Sequence, residues 1–374
     1  MATREVRPVR IGGRPVGPGR EVYVIAEAGV NHNGDVTRAD EMIVRARQAG
    51  ADAVKFQAFR ADAFVSTEAA LAGYQRSGTS RTSQRDMLKD LELSADDLRR
   101  LARRCREEEI EFLAAPFDLA SLELLVELGV AAVKIASPEL TDVPLLEAAA
   151  RTGLPLIVST GAARLDEIAE AVDGMRDAGA TDLILLHCVS AYPTPFEMQN
   201  LKAVATLIER FEVVAGYSDH SVELLSGRLA VGAGASLLEK HFTLDRGDRG
   251  PDHAMSLEPG ELAEYIRLAR KMSPDLAAVI EGHERSRAAM GTGEKVSQES
   301  EDDVRRVARK SLAARVDIPE GSCITRDMLT TMRPGTGIPA TRIDEVVGAR
   351  AVARIPAGSI LRPEMLAMVN HQET

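Results

Sequence analysis

The sequence predicts an α/β protein, a (β/α)8 TIM barrel followed by a small second domain, on three observations. Eight short apolar runs alternate with amphipathic segments. Most of those runs end on polar or titratable residues. After a polar stretch, a short pseudo-repeat of different texture fills the C-terminal part of the chain.

The apolar runs lie at 22–26, 53–56, 112–115, 132–135, 156–158, 183–186, 213–215 and 237–238. They are too short to be independent helices and are apolar on both faces, as buried parallel strands are. Helical patterns separate them, among them 38–49, 95–108, 119–128, 166–178 and 222–231, with Asp35, Ser94, Asp118 and Ser221 where N-caps would fall. Such strand–helix units, mostly of roughly 20–30 residues each, indicate a barrel. A doubly wound sheet is the alternative, but its G-x-G-x-x-G turn is absent. The gap at 58–110 is longer than the others, and its polar part at 74–84 reads as a loop over the barrel mouth.

A last helix at 259–279 leads into a stretch at 281–303 that is rich in Gly, Ser and Glu and reads as a linker. Beyond it, Ile318-Pro319-Glu320-Gly321-Ser322 recurs as Ile355-Pro356-Ala357-Gly358-Ser359, and Met328-Leu329 recurs as Met365-Leu366. Two copies are too few for a solenoid, which needs about three, so they belong to one compact domain. The expected division is 1–282 barrel, 283–307 linker and 308–374 small domain.

The chain has 374 residues, of which 45% are hydrophobic, enough for a sizeable core and for two domains. Its 46 basic and 57 acidic residues leave a net charge of −11, which argues against nucleic acid or an anionic membrane as a partner. A small phosphorylated substrate stays possible, since it needs only a few local donors. The 3 cysteines, Cys105, Cys188 and Cys323, contain no C-x-x-C, which argues against a disulfide framework and a structural zinc site. Residues 1–19 carry charge but no apolar run, and no stretch approaches the ~20 apolar residues of a membrane span, so a cytoplasmic protein is expected.

Barrel chemistry sits past the C-terminal strand ends. Those positions hold Glu27 and Asn31-His32-Asn33-Gly34; Lys55 and Gln57; Lys134 and Ser137; Ser159-Thr160-Gly161; His187, Ser190 and Tyr192; Tyr217-Ser218-Asp219-His220; and Glu239-Lys240-His241. So many polar groups at the ends of apolar strands suggest one polar rim, because each is costly to bury alone. His220 and His241, one βα unit apart, suit a divalent metal with positions left open for substrate, and Glu27 and Asp252 are carboxylate candidates beside them. Lys55 and Lys134 admit three uses: binding a phosphate or carboxylate, pairing with Glu27 or Glu239, or forming a Schiff base. Ser137, Ser159, Ser190 and Ser218 add hydroxyls. Cys188 reads as core filling, Tyr192-Pro193-Thr194-Pro195 as a rigid turn that could wall a substrate, and Arg333 as an arginine on a Gly-rich turn.

Taken together these segments resemble the sialic acid synthase (N-acetylneuraminate synthase) family over about residues 20–367. They include Ile25-Ala26-Glu27-Ala28-Gly29-Val30-Asn31-His32-Asn33-Gly34, Val54-Lys55-Phe56-Gln57, Val133-Lys134-Ile135-Ala136-Ser137 and Tyr217-Ser218-Asp219-His220. Glu239-Lys240-His241-Phe242-Thr243-Leu244-Asp245, Gly250-Pro251-Asp252-His253 and Arg333-Pro334-Gly335-Thr336-Gly337 complete the set. The C-terminal segment looks like the family's antifreeze-like (SAF) domain. The resemblance implies condensation of phosphoenolpyruvate with an N-acetylated hexosamine of the N-acetylmannosamine type, giving a nonulosonic acid and phosphate. It implies metal ligation by His220 and His241, with Mn2+ expected and Mg2+ or Co2+ as alternatives. Lys55, Lys134, Ser137, Ser159 and Ser218 match residues around phosphoenolpyruvate. Glu27, Gln57, Tyr192, Glu239 and Asp252 match residues around the metal and the sugar. Arg333 matches an arginine inserted into the partner subunit's barrel, which implies a domain-swapped homodimer. Ala114-Ala115 and Ser190 depart from the commoner pattern and bear on the identity of the sugar. A legionaminate, pseudaminate or spore-coat sugar synthase is the alternative within the family, and a Schiff-base aldolase the alternative outside it.

Overall fold

The computed structural model describes residues 6–271 and 283–367. Two strands, β1 (Val9–Ile11) and β2 (Arg14–Val16), form an N-terminal hairpin that the strand pattern above did not foresee. Eight parallel strands follow: β3 (Tyr23–Gly29), β4 (Ala53–Ala58), β5 (Glu111–Pro116), β6 (Val133–Ile135), β7 (Leu156–Ser159), β8 (Leu183–Cys188), β9 (Val214–Asp219) and β10 (Leu237–His241). Their hydrogen-bonded order, β5-β4-β3-β10-β9-β8-β7-β6, curls into a nearly closed barrel with its seam between β5 and β6. The predicted barrel is thus observed, and several strands run further into the polar residues than their apolar runs suggested.

Side chains alternate between the two faces of each strand. Tyr23 and Ile25 of β3, Ile157 of β7, Ile184 and Leu186 of β8 and Leu237 of β10 point into the barrel and pack with Val9, Ile11 and Val16 of the hairpin, which plugs its N-terminal end. Val24, Val54, Leu185 and Leu238 point outward into the layer shared with the helices. Gly216 of β9 has no room for a side chain, since a Cβ there would collide with the Leu237 carbonyl and the Leu186 side chain.

The helices start where cap chemistry allows. Asp35 accepts a hydrogen bond from the Thr37 amide, Ser94 from the Asp97 amide and Asp118 from the Ser121 amide, each cap contributing about 1 kcal/mol. Ser221 caps nothing. The helix expected at 222–231 is Ser226–Gly232, and the Ser221 hydroxyl instead bonds Asp219. The long β4–β5 connection crosses the mouth as expected, but it carries helical turns at Gly73–Ser77 and Gln84–Lys89. The helix after β10 is described over Pro259–Arg270; its expected remainder to 279, and linker residues 281–282, lie outside the described residues.

The linker is not a free spacer. It forms a helix at Glu284–Met290 with Ala289 and Met290 buried against the barrel, and a second at Asp302–Ala308. In the small domain, β11 (Ser311–Ala314) pairs with β12 (Leu329–Met332) and β13 (Arg350–Ala351) with β14 (Leu366–Ala367). The two pseudo-repeats face each other, with reciprocal hydrogen bonds of 2.8 and 2.9 Å between Ile318 and Ile355. Gly321 and Gly358 take matching left-handed conformations, φ 75° and 80°, in the two turns.

The small domain sits over the mouth of its own barrel. The Arg333 amide donates to the Phe64 carbonyl at 2.8 Å, and the Ser66 amide donates to the Arg333 carbonyl at 3.0 Å. Lys310 reaches Glu139 at 2.6 Å and Asp142 at 2.8 Å. Within this single chain the linker packs along its own barrel, and Arg333 lies in the cleft of the same chain. Among the described residues no helix is long and apolar enough to cross a membrane.

Candidate active site

The inward-pointing residues at the C-terminal ends of the strands are polar, and they share one cleft of about 860 Å³ counting its open mouth. Strand register sets their pairing. Glu27 lies opposite Lys55, and Glu239 lies beside Ser218 and one step from His241. Lys55 Nζ is 2.6 Å from Glu27 and 3.7 Å from Glu239. Lys134 Nζ is 3.8 Å from Glu239 and donates to Ser159 Oγ at 2.7 Å. The Ser218 hydroxyl donates to Glu239 at 3.1 Å.

This buried square separates its two acids. Burial raises Glu27 to about 7, although Lys55 pulls the other way. Burial also works to raise Glu239, but Lys134 and Lys55 outweigh it and hold that carboxyl below its usual range. Lys55 keeps its proton because Glu239 and Glu27 overcome the desolvation that opposes it. Burial lowers Lys134 to about 8, against the pull of Glu239. Of the two acids in this square, Glu27 is thus the one able to exchange a proton near neutrality; Asp252, elsewhere in the same cleft, is also raised by burial, to about 6.

Above the square, the His220 and His241 rings lie 5.4 Å apart, centroid to centroid. Tyr192 stacks on His220 at 4.3 Å and on Tyr74 at 4.6 Å. His220 Nδ1 is 2.9 Å from the Val189 carbonyl, which leaves its other ring nitrogen for the cleft. Burial works to lower His220, but Cys188 at 3.6 Å, Val189 and Glu239 push it up to about 9. Burial and the neighbouring cation-bearing groups hold His241 well below its ordinary value, so it is neutral at pH 7. At the mouth, the Arg333 guanidinium lies over Phe64 at 4.9 Å and Phe117 at 5.3 Å, with Glu139 at 3.5 Å.

A family model described as "NeuB family" matches residues 42–281, and one described as "SAF domain" matches 309–367. The N,N'-diacetyllegionaminic acid synthase of Legionella pneumophila is 39% identical over 94% of this chain and 96% of its own. The enzyme of the same name from Campylobacter jejuni is 40% identical over 92% and 99%. The chain belongs to the NeuB family. The crystal structure of spore coat polysaccharide biosynthesis protein spsE from Bacillus subtilis superposes with a TM-score of 0.81 at 33% identity, covering 97% of this chain and 100% of that one.

The NeuB-family cleft contains Glu27, Lys55, Gln57, Lys134, Ser137, Ser159, Tyr192, Ser218, His220, Glu239, His241, Asp252 and Arg333, all singled out from the sequence. Ser190 does not line it. Its side chain is buried beside Gly161, behind the cleft wall, where a Cβ on Gly161 would collide with the oxygens of Ser190 and Ser137. Among the strand-end polar residues, Asp219 and Lys240 also fall outside, because they have the opposite parity. They pair with each other at 3.0 Å on the outer face of the barrel. Tyr74 and Gln75 come from the 74–84 loop expected over the mouth, whereas Phe64, Phe117 and Val304 line the cleft without having been anticipated. Of the two departures at Ala114-Ala115, Ala115 faces the cleft and Ala114 the helices, so only the former bears on the site.

The fit to a divalent cation rests on the histidines. His241 Nδ1 is buried without a hydrogen-bond partner among the described residues, 3.9 Å from Asp252 Oδ2. An orphaned imidazole nitrogen beside a carboxylate suits a borderline metal. Among the described residues no three His, Cys, Asp or Glu side chains converge into a closed cage. Two protein ligands would leave the remaining positions to water or substrate.

Proposed function

We propose that this chain condenses phosphoenolpyruvate with an N-acetylated amino sugar to give a nonulosonic acid and phosphate. The observation that carries the reading is the pair of buried lysines, Lys55 and Lys134, set among Ser137, Ser159 and Ser218 on the floor of one cleft. Two fixed cations with hydroxyl donors suit a ligand that bears both phosphate and carboxylate. The names of the relatives favour a legionaminate-type product, hence an acceptor with two acetamido groups, over the N-acetylmannosamine type.

His220 and His241 would hold a divalent cation, Mn2+ in the first instance, with Asp252 and Glu239 nearby. When bound, the ion supplies Lewis-acid polarisation of an aldehyde oxygen. The residues of the chain do the rest. Lys55 and Lys134 hold the anion so that the nucleophilic enol carbon lies close to the acceptor. Gln57, Tyr192 and Asp252 line the space above the lysines, where the sugar would sit. Glu27, ionised, stabilises positive charge developing at C2 and orients the water that adds there; loss of phosphate by C–O cleavage completes the reaction. Arg333 at the mouth reads the acyl group of the sugar.

Two expected results follow from these placements. Glu27 is protonated below its raised pKa, so kcat/KM falls on the acid side with an apparent pKa at or below about 7, since a bound cation pulls it lower. A pH–rate profile measures this, and an acid limb that persists unchanged in Glu27→Gln removes Glu27 as its source. Arg333→Ala lowers kcat/KM for the sugar by about 30- to 1,000-fold, because a desolvated guanidinium no longer meets the ligand, with the KM for phosphoenolpyruvate little changed. Equal loss for both substrates contradicts the assignment of Arg333 to the sugar.

The test of the reaction is phosphate release from phosphoenolpyruvate with Mn2+ and a panel of mannosamine and diacetamido sugars, with the products weighed by mass spectrometry. No release with any sugar sinks the reading. Lys134, near neutral pKa, is the group a Schiff-base aldolase would use. Borohydride with pyruvate distinguishes that chemistry, and the synthase leaves the chain unmodified.

A further inference from the structure

We propose that Glu301, in the linker, is a positioning residue for the anion pocket: it holds the loops after β7 and β8 so that Ser137 and Ser159 face the phosphate. The inference rests on the synthase reading above and names a residue remote from the substrate on which that reading depends.

Glu301 is fully buried, an unusual place for a carboxylate from a polar, Ser- and Glu-rich stretch. One oxygen accepts the Ala162 amide at 2.7 Å and the Ser190 amide at 2.6 Å. The other accepts the Gln298 amide at 2.8 Å. The carboxylate therefore bridges two barrel loops. The first, after β7, carries Ser159 into Gly161 and Ala162. The second, after β8, carries Ser190 and Tyr192.

Ala162 is in the left-handed region, φ 52°, which a residue with a Cβ adopts only when its surroundings enforce it. Both of its peptide groups are held from the C-terminal segment. The amide goes to Glu301, and the carbonyl accepts from Arg305 at 2.8 Å and Arg309 at 2.9 Å. Both arginines are fixed in turn by Glu167, at 2.6 and 2.7 Å.

The turn held in this way reaches the cleft in one step. The Gly161 amide donates to Ser137 Oγ at 2.9 Å, and the Ser137 hydroxyl in turn donates to Cys188 Sγ at 3.6 Å, a weak bond that a ligand's oxygen can replace. Ser159, two residues earlier, accepts from Lys134. Gly161 has no slack, since a Cβ there would strike Ser190, Ser137 and Cys188. A shift of Ala162 therefore moves both serines. Lys295, also buried, donates to the Cys188 carbonyl at 3.3 Å and ties the linker to the end of β8. The consequence is that the anion pocket is complete only while the linker is docked.

The test measures phosphoenolpyruvate binding to the full chain by calorimetry, without turnover, in wild type, Glu301→Gln and the neighbouring Glu299→Gln. Glutamine keeps one acceptor oxygen and turns the other into an N–H donor, so the three backbone N–H groups can no longer all be satisfied and the charge that holds them is lost. Glu301→Gln weakens binding by about tenfold or more, as loss of a group that orients a ligand's partners does, and Glu299→Gln does not. In turnover, KM for phosphoenolpyruvate rises by a similar factor while KM for the sugar stays put. If Glu301→Gln fails to fold, the Arg305→Gln/Arg309→Gln double variant takes its place, because it releases the Ala162 carbonyl from the protein's outer side, and the same split is expected. Wild-type binding with undiminished binding by the folded variant overturns the proposal alone, as does an equal loss in kcat and both KM values. Wild-type chain that binds no phosphoenolpyruvate overturns the synthase reading and the proposal together.

Discussion

Glu27→Gln is expected to lower kcat by about two to four orders of magnitude, the range typical of a positioned acid or base, while leaving phosphoenolpyruvate affinity nearly intact. Glutamine keeps the shape and one acceptor for Lys55 at the same 2.6 Å position, so the floor of the cleft stays packed. What it removes is the negative charge at C2 and the ability to exchange a proton, and both matter only as the transition state forms. Rapid-quench turnover alongside calorimetry separates the two effects. Normal turnover in this variant would remove Glu27 from the mechanism. A parallel loss of binding would make it an anion-site residue instead.

The second large effect falls on stability. Lys55 is the cation between two buried carboxyl groups, 2.6 Å from Glu27 and 3.7 Å from Glu239. Lys55→Met fills the space with an apolar chain but leaves two acids facing each other with Lys134 alone to balance them. Removing one partner of a buried charge cluster costs about 3–5 kcal/mol, because the remaining charge has no water to turn to. The unfolded chain does not feel that loss, so urea denaturation at neutral pH reads it directly. Part of the cost is recovered at lower pH, since Glu27, already raised by burial, becomes protonated and stops repelling Glu239. A loss below about 1 kcal/mol would mean that the cluster is more hydrated than its burial implies.

What the sequence revealed of the fold came from alternation. The apolar runs located the eight barrel strands, and the residues just beyond them proved to be extensions of the same strands, as at His241 and Ser218. Period two also sorts those residues by face. Glu239 and His241 share a parity and enter the cleft, while Lys240 between them points outward to Asp219. A strand-end residue is a candidate only if it shares the parity of its inward neighbours. Phe64 and Phe117 were harder to find, because a connection that crosses the mouth obeys no period. Glu301 was harder still. Its neighbours are polar and its composition is that of a solvated linker, and nothing in one sequence marks a carboxylate whose partners are backbone amides more than a hundred residues away. Arg333 was found through its motif, and it lines the cleft.

The hairpin of β1 and β2 looks like an ornament at the wrong end of the barrel, yet it decides how the chamber is used. With Val9, Ile11 and Val16 stoppering the floor and the small domain seated on the rim, the interior is a cul-de-sac. Traffic in both directions passes one doorway. Whatever rests on the lysines has to arrive before a second molecule occupies the space beneath Arg333. If the proposed condensation runs here, its product, larger than either substrate, leaves only when that doorway is cleared.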